Sequence, residues 1–207
     1  EAGTGKTVLN SSIFYELYCQ EEEKDNTEFK CCMVVNHDEQ VKVYSDIAKK
    51  LGITEKYKDV VSKASTFLNR HKDPDSVDVV FVDEAHLLFT QGNQGYSGKN
   101  QLDDIVKRAK VVVIVFDENQ ILRMDQYWEK QMIDRYRNKA IEQRNHITLT
   151  KQLRMQADDE TLEWIDAFTK KQIINKIPHH DYEIKIFDSP EVLDLEILVI
   201  IKNIIRL

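Results

Sequence analysis

Cysteine, proline and glycine are all scarce in this chain. Its three cysteines, Cys19, Cys31 and Cys32, are an odd count with two adjacent and no C-x-x-C pair. That argues against a disulfide framework or a zinc site and suits a reducing cytoplasm. With three prolines and six glycines among 207 residues, no Pro- or Gly-rich linker divides the chain into domains. No apolar run approaches the ~18 residues of a membrane span, so a membrane role is not expected. Excess positive charge is missing as well. The net charge is −7, so the chain as a whole is no polyanion magnet, and contact with a polynucleotide needs a local basic groove. Internal repeats and low-complexity segments are absent.

What is present is a globular composition, 42% hydrophobic and 31% charged, enough for one large domain with a proper core. Apolar runs alternate with amphipathic stretches. Helices are expected at Thr7–Tyr18 (with Val8, Leu9, Ile13, Phe14 and Leu17 on one side), Gln40–Leu51, Asp59–Asn69, Asn100–Ala109, Gln126–Asn138 and Asp158–Asn175, and from Pro190 onward. Strands are expected at Lys30–Asn36, Asp78–Asp83, Val111–Phe116, His146–Thr150 and Glu183–Phe187. Several of these strands are uniformly apolar, which implies a mostly parallel sheet covered on both faces, a three-layer α/β/α architecture. Three glycines, Gly92, Gly95 and Gly98, crowd into one segment and mark a loop.

The remaining glycines carry the chemistry. Glu1-Ala2-Gly3-Thr4-Gly5-Lys6-Thr7 reads as the last seven positions of the phosphate-loop pattern G-x-x-x-x-G-K-[ST], whose first glycine would precede Glu1. In that pattern Gly3, Thr4 and Gly5 offer backbone N–H groups to phosphate, Lys6 reaches the β/γ-phosphates and the Thr7 hydroxyl binds Mg²⁺. A second element lies at Val79-Val80-Phe81-Val82-Asp83-Glu84-Ala85-His86, an apolar strand closed by a carboxylate pair. Ligands of open α/β sheets bind at the strands' C-terminal ends, so Asp83 is expected to hold Mg²⁺ and Glu84 to polarise the attacking water. Asp117 and Gln120 follow the next strand, and Gln120 can sense the γ-phosphate. Gln152-Leu153-Arg154 follows the one after, and Arg154 can place its guanidinium on the γ-phosphate. Together these elements indicate a nucleoside triphosphatase using ATP and Mg²⁺. Tyr96, Tyr127 and Trp128 as base-stacking groups, and Lys107, Arg108 and Lys110 as phosphate contacts, are weaker candidates, since such residues are more often core aromatics and solvated charges.

The order A-G-T-G-K-T, V-F-V-D-E-A-H, V-F-D-E-N-Q, Q-L-R-M resembles the first RecA-like domain of superfamily 1 helicases. More closely it resembles a bacterial and phage family of predicted DNA/RNA helicases related to the helicase part of Schlafen proteins. The stretches Tyr96–Leu102, Leu162–Ile165 and Ile186–Pro190 are similar to that family too, so the resemblance covers essentially the whole chain. It implies a single RecA-like ATPase domain over 1–207, with 178–207 extending toward a second RecA-like domain. It further implies phosphate binding by Gly3, Gly5 and Lys6, metal binding by Thr7 and Asp83, catalysis by Glu84, Gln120 and Arg154, and single-stranded DNA or RNA as partner. A nucleotide-dependent switch that never unwinds anything is the alternative. The strand that feeds the loop is expected upstream of Glu1, and residues 1–207 without it are expected to bind ATP poorly.

Overall fold

A computed structural model describes residues 3–92, 95–117, 127–150, 153, 157–176, 185 and 187–205. The chain forms two compact units, Glu1–Arg154 and Met155–Leu207. The first holds four parallel strands, β1 (Cys31–Val35), β2 (Val61–Lys63), β3 (Val77–Val82) and β4 (Ala109–Ile114), in the order β2-β1-β3-β4. Its helices are α1 (Lys6–Glu23), α2 (Asp38–Lys50), α3 (Ile53–Lys56), α4 (Ala64–Arg70), α5 (Gln101–Val106) and α6 (Lys130–Glu142), with a 3-10 turn at Ala85–Leu87. The second unit contains α7 (Asp159–Lys171) and α8 (Pro190–Ile205). In α7, Asp158 caps the N-terminus by accepting from Thr161 N, and Trp164 stacks on Phe168. The sequence-based expectation of three layers around a parallel sheet holds.

The period-two alternation of strand side chains sorts the core into two clusters. Cys31, Met33 and Val35 of β1, with Phe81 of β3, pack against Phe14 and Tyr18 of α1, Tyr44 and Ala48 of α2 and Ile53 of α3. The intervening residues Cys32, Val34, Val80 and Val82 face the other way, against Ala64, Phe67 and Leu68 of α4 and Leu102 and Ile105 of α5. Both ladders run in step: Met33 lies opposite Phe81, and Phe81 opposite Val113. Burial raises both strand thiols, that of Cys32 to about 12, and all three cysteines are free.

Four expectations change. The Asp59–Asn69 helix begins late, because Val61–Lys63 is drawn into the ladder opposite Met33–Val35 and only Ala64–Arg70 is helical. The His146–Thr150 run is not a strand. A strand needs a ladder partner, and none of the described strands pairs with it; Ile147 is 77% exposed. On α1 the buried row is Asn10, Phe14 and Tyr18, while Val8, Leu9 and Ile13 are exposed. Two polar anchors set this rotation: the Thr7 hydroxyl bonds Asp83, and the Tyr18 hydroxyl bonds the Cys31 carbonyl. Finally, α6 starts at Lys130, four residues after the expected Gln126. The expected Glu183–Phe187 strand lies largely outside the described residues.

Candidate functional site

The loop before α1 depends on two left-handed glycines, Gly3 (φ 74°) and Gly5 (φ 81°). Gly5 caps α1, and its carbonyl accepts from Leu9 N at 2.9 Å. A residue with a Cβ would be strained there by its backbone alone. Leu153 closes the loop by donating its N–H to the Gly3 carbonyl at 2.8 Å. The first turn of α1 carries no acidic residue, whereas those of α2, α5 and α7 do. Its N-terminal field is therefore not neutralised by an acidic side chain of its own first turn, the condition for receiving an anion.

Side chains from α1 meet the ends of β3 and β4. Lys6 Nζ lies 3.1 Å from Asp117 Oδ2. The Thr7 hydroxyl donates to Asp83 Oδ2 at 3.1 Å. Asp83 continues the strand's odd-numbered parity, which turns it toward α1 and α2, and it is fully buried. The Tyr44 hydroxyl donates to the same oxygen, and Glu84 N donates to Oδ1 at 3.1 Å. Burial first, then the Asp83 charge, push the Tyr44 phenol above its ordinary range.

Glu84 is built differently. It has a left-handed φ of 51°, uncommon for a residue with a side chain, and its carboxylate keeps about 20% exposure. Its Oε2 lies 2.9 Å from Nε2 of His86, which is buried. Asp117 N donates to His86 Nδ1 at 3.3 Å. Nδ1 is thus the acceptor, which assigns the ring proton to Nε2, the donor to Glu84. This hydrogen bond, working against burial, holds the Glu84 carboxyl below the usual carboxylate range. Ala85 N bonds the Val115 carbonyl at 2.8 Å and ties the turn to the segment after β4.

The structure therefore gathers Gly3, Thr4, Gly5, Lys6, Thr7, Asp83 and Glu84 at the C-terminal edge of the sheet. Gln120 and Arg154 lie outside the described residues. Sequence reasoning missed the contribution of Tyr44 entirely and did not foresee Asp117 as the partner of Lys6. Only the place of Asp117 at a strand end signalled it. Among the described residues no cluster of three or more His, Cys, Asp or Glu forms a metal centre. The Thr7 and Asp83 oxygens suit a hard cation such as Mg²⁺, which keeps several waters and takes further oxygens from phosphate.

Residues 1–199 match the family model for the Schlafen group 3 DNA/RNA helicase domain. The chain belongs to this Schlafen group 3 family. It is also similar to the uncharacterized protein YPL245W of Saccharomyces cerevisiae, with 33% identity over 191 residues, 86% of this chain and 41% of the relative. The chain thus spans about two-fifths of that relative's length. Membership implies a helicase-type, nucleotide-dependent domain.

The side candidates for nucleic-acid contact in this Schlafen group 3 domain are mostly structural. Trp128 is buried edge-on to Phe116. The Tyr96 hydroxyl bonds Asp104. Lys107 pairs with Asp104, Arg108 bonds the His71 carbonyl, and Lys110 pairs with Asp78. Tyr127 is 57% exposed. Among the described residues, no helix is long and apolar enough to cross a membrane.

Proposed function

We propose that this domain binds and hydrolyses ATP with Mg²⁺ as the motor part of a superfamily 1-like DNA or RNA helicase or translocase. The observation that carries the reading is the convergence of Lys6, Thr7, Asp83 and Glu84 on one sheet edge, with Thr7 and Asp83 in direct hydrogen-bond contact at 3.1 Å. The loop at Gly3–Gly5 and the N-terminus of α1 receive the β-phosphate. Lys6 leaves Asp117 to reach the β/γ-phosphates. Thr7 and Asp83 would hold the cation, with the Thr7 hydroxyl still donating its hydrogen bond to Asp83. When bound, Mg²⁺ neutralises charge that develops on the transferring phosphoryl group. Glu84 accepts the proton of the attacking water, and the hydrogen bond from His86 keeps it ionised and aimed. Gln120 and Arg154 contact the γ-phosphate, Arg154 through its planar fork.

The partners in this reading are single-stranded DNA or RNA and a second RecA-like domain of the same longer protein. The compartment in this reading is the cytoplasm, in keeping with three free cysteines, two of which, Cys31 and Cys32, burial makes unreactive. ATP turnover by the full-length protein, measured with and without single-stranded DNA and RNA, is the test. A several-fold or larger stimulation by a polynucleotide is expected, with turnover abolished by Lys6→Ala. Turnover indifferent to every polynucleotide would favour a nucleotide-dependent switch. No Lys6-dependent turnover at all would remove the ATPase reading.

A further inference from the structure

Asp83 receives a donor that no phosphate-loop motif contains. Tyr44 lies on α2, 5% exposed, in the aromatic cluster with Phe14, Tyr18 and Phe81. Its hydroxyl donates to Asp83 Oδ2, the oxygen that also accepts from Thr7. Donors from two helices thus meet on one oxygen of a carboxylate that is fully buried, where bulk water cannot stand in for a lost partner. A carboxylate offers roughly four acceptor positions. Thr7 and Tyr44 occupy two on Oδ2, and Glu84 N takes one on Oδ1. The position left open is on Oδ1.

We propose that Tyr44 is a positioning residue for the metal–nucleotide site: its phenol fixes the plane of the Asp83 carboxylate, so that Asp83 and Thr7, the residues that would hold the cation, keep their mutual arrangement. This inference rests on the nucleotide reading above and deepens it. Without the phenol, Thr7 and Glu84 N alone leave the carboxylate able to swing about its Cβ–Cγ bond. Outer-shell partners of metal ligands typically contribute 10- to 100-fold in metal affinity. The seat of Tyr44 on α2 also makes the metal side of the site depend on a helix outside the loop–helix unit.

A matched control lies in the same cluster. Tyr18 is also a buried phenol, edge-on to Phe14 at 5.1 Å, but its hydroxyl donates to the Cys31 carbonyl. Tyr44→Phe and Tyr18→Phe each remove one buried phenolic donor, and only the first touches Asp83. The experiment is calorimetric ADP binding to the full-length protein, first in EDTA and then across a MgCl₂ titration. Tyr44→Phe should raise the Mg²⁺ concentration that half-maximally tightens ADP binding about tenfold, with ADP affinity in EDTA unchanged. Tyr18→Phe should leave that half-point in place while lowering the melting temperature. Coincident Mg²⁺ curves for Tyr44→Phe and wild type overturn the inference. So does an equal shift in Tyr18→Phe, which would reduce both effects to core stability, or a parallel loss of binding in EDTA. A wild-type protein that binds no ADP at any Mg²⁺ concentration overturns the nucleotide reading itself, and the Tyr44 role with it.

Discussion

On one face of the sheet, α1 and α2 lay an aromatic wall of Phe14, Tyr18 and Tyr44 against Met33, Val35 and Phe81. On the other, α4 and α5 lay a largely aliphatic wall, including Leu68, Leu102 and Ile105, against Val34, Val80 and Val82. The two walls reach the end of β3 with different chemistry. The aromatic wall sends hydroxyls from separate helices, Thr7 and Tyr44, to the buried Asp83. On the other side the turn supplies His86, a ring set edge-on to Phe116, to the partly exposed Glu84. Two neighbouring carboxylates therefore differ in freedom. Asp83 is held by three donors, whereas Glu84 has one side-chain contact and a strained backbone. A fixed carboxylate suits a cation; a partly exposed one suits proton transfer to and from water.

The largest test of this contrast exchanges each acid for its amide in the full-length protein. Glu84→Gln keeps the shape and can still meet His86 through its carbonyl oxygen, but it cannot take a proton from water. Turnover should fall about 10³-fold, within the usual range for a lost general base, with ADP affinity changed less than about twofold. Asp83→Asn should behave differently. Thr7, Tyr44 and the Glu84 N–H all donate to this side chain, so an amide must turn its N–H₂ toward the two hydroxyls, which then reverse and accept. Mg²⁺-dependent ADP binding should be lost with the carboxylate charge, and stability should drop by about 1 kcal/mol as charge-assisted hydrogen bonds become neutral ones. The reverse pattern, binding lost in Glu84→Gln and only turnover lost in Asp83→Asn, would break the assignment of roles.

The walls themselves can be compared next. Phe81 and Leu102 are both essentially unexposed, one in each cluster. Phe81→Ala should cost about 3–5 kcal/mol and Leu102→Ala about 2–5 kcal/mol, both large against a net stability of ~5–15 kcal/mol. Their effects on the site should differ. Phe81 seats Phe14 of α1 edge-on at 5.8 Å, so its loss loosens the helix that carries Lys6 and Thr7. Leu102 touches no site-bearing helix through its cluster. At a temperature where both variants are folded, ADP binding should weaken in Phe81→Ala and stay at the wild-type level in Leu102→Ala. Equal weakening would mean that the site senses global stability and not its own wall.

Much of this contrast could be read from the sequence because it is written locally. The apolar stretches within Lys30–Asn36, Asp78–Asp83 and Val111–Phe116 announce a parallel sheet. Gly3–Thr7, through the phosphate-loop pattern, and Asp83–Glu84, as acids closing an apolar strand, announce that they share the sheet's C-terminal edge. What stayed hidden depends on distance in the chain. Tyr44 and Asp83 are 39 residues apart, and Lys6 and Asp117 are 111 apart. A tyrosine on an amphipathic helix looks like any core aromatic until its hydroxyl is seen to end on a carboxylate. β2, three residues long, is too short to display alternation. The alternating stretch at 146–150 promised a strand because periodicity cannot report whether a ladder partner exists. The rotation of α1 misled for a related reason: hydrophobic count favours Val8, Leu9 and Ile13, but two hydroxyl anchors outweigh it.

The smallest effect concerns how the helices of the two walls are capped. α1 and α2 begin without any side-chain cap, whereas α5 begins at Asn100, whose Oδ1 accepts from Leu102 N and Asp103 N. Asn100 is buried, and its Nδ2 has no hydrogen-bond partner among the described residues. Two terms therefore oppose each other at this position. Losing the cap costs about 1 kcal/mol, while removing an orphaned buried N–H relieves about 1–3 kcal/mol of desolvation. Asn100→Ala does both and should leave stability between unchanged and about 2 kcal/mol higher. Asn100→Ser keeps an acceptor for the helix N-terminus and discards the orphan, so it should be at least as stable as wild type. The expected ranking in thermal melts is Ser at or above Asn, and Ser above Ala, with ADP affinity unchanged in both variants because this wall carries no phosphate or metal contact. A serine variant less stable than wild type would show that Nδ2 has a partner in solution, and one less stable than the alanine variant would show that the hydroxyl does not cap α5. A change in ADP affinity in either would show that the aliphatic wall reaches further into the site than its contacts indicate.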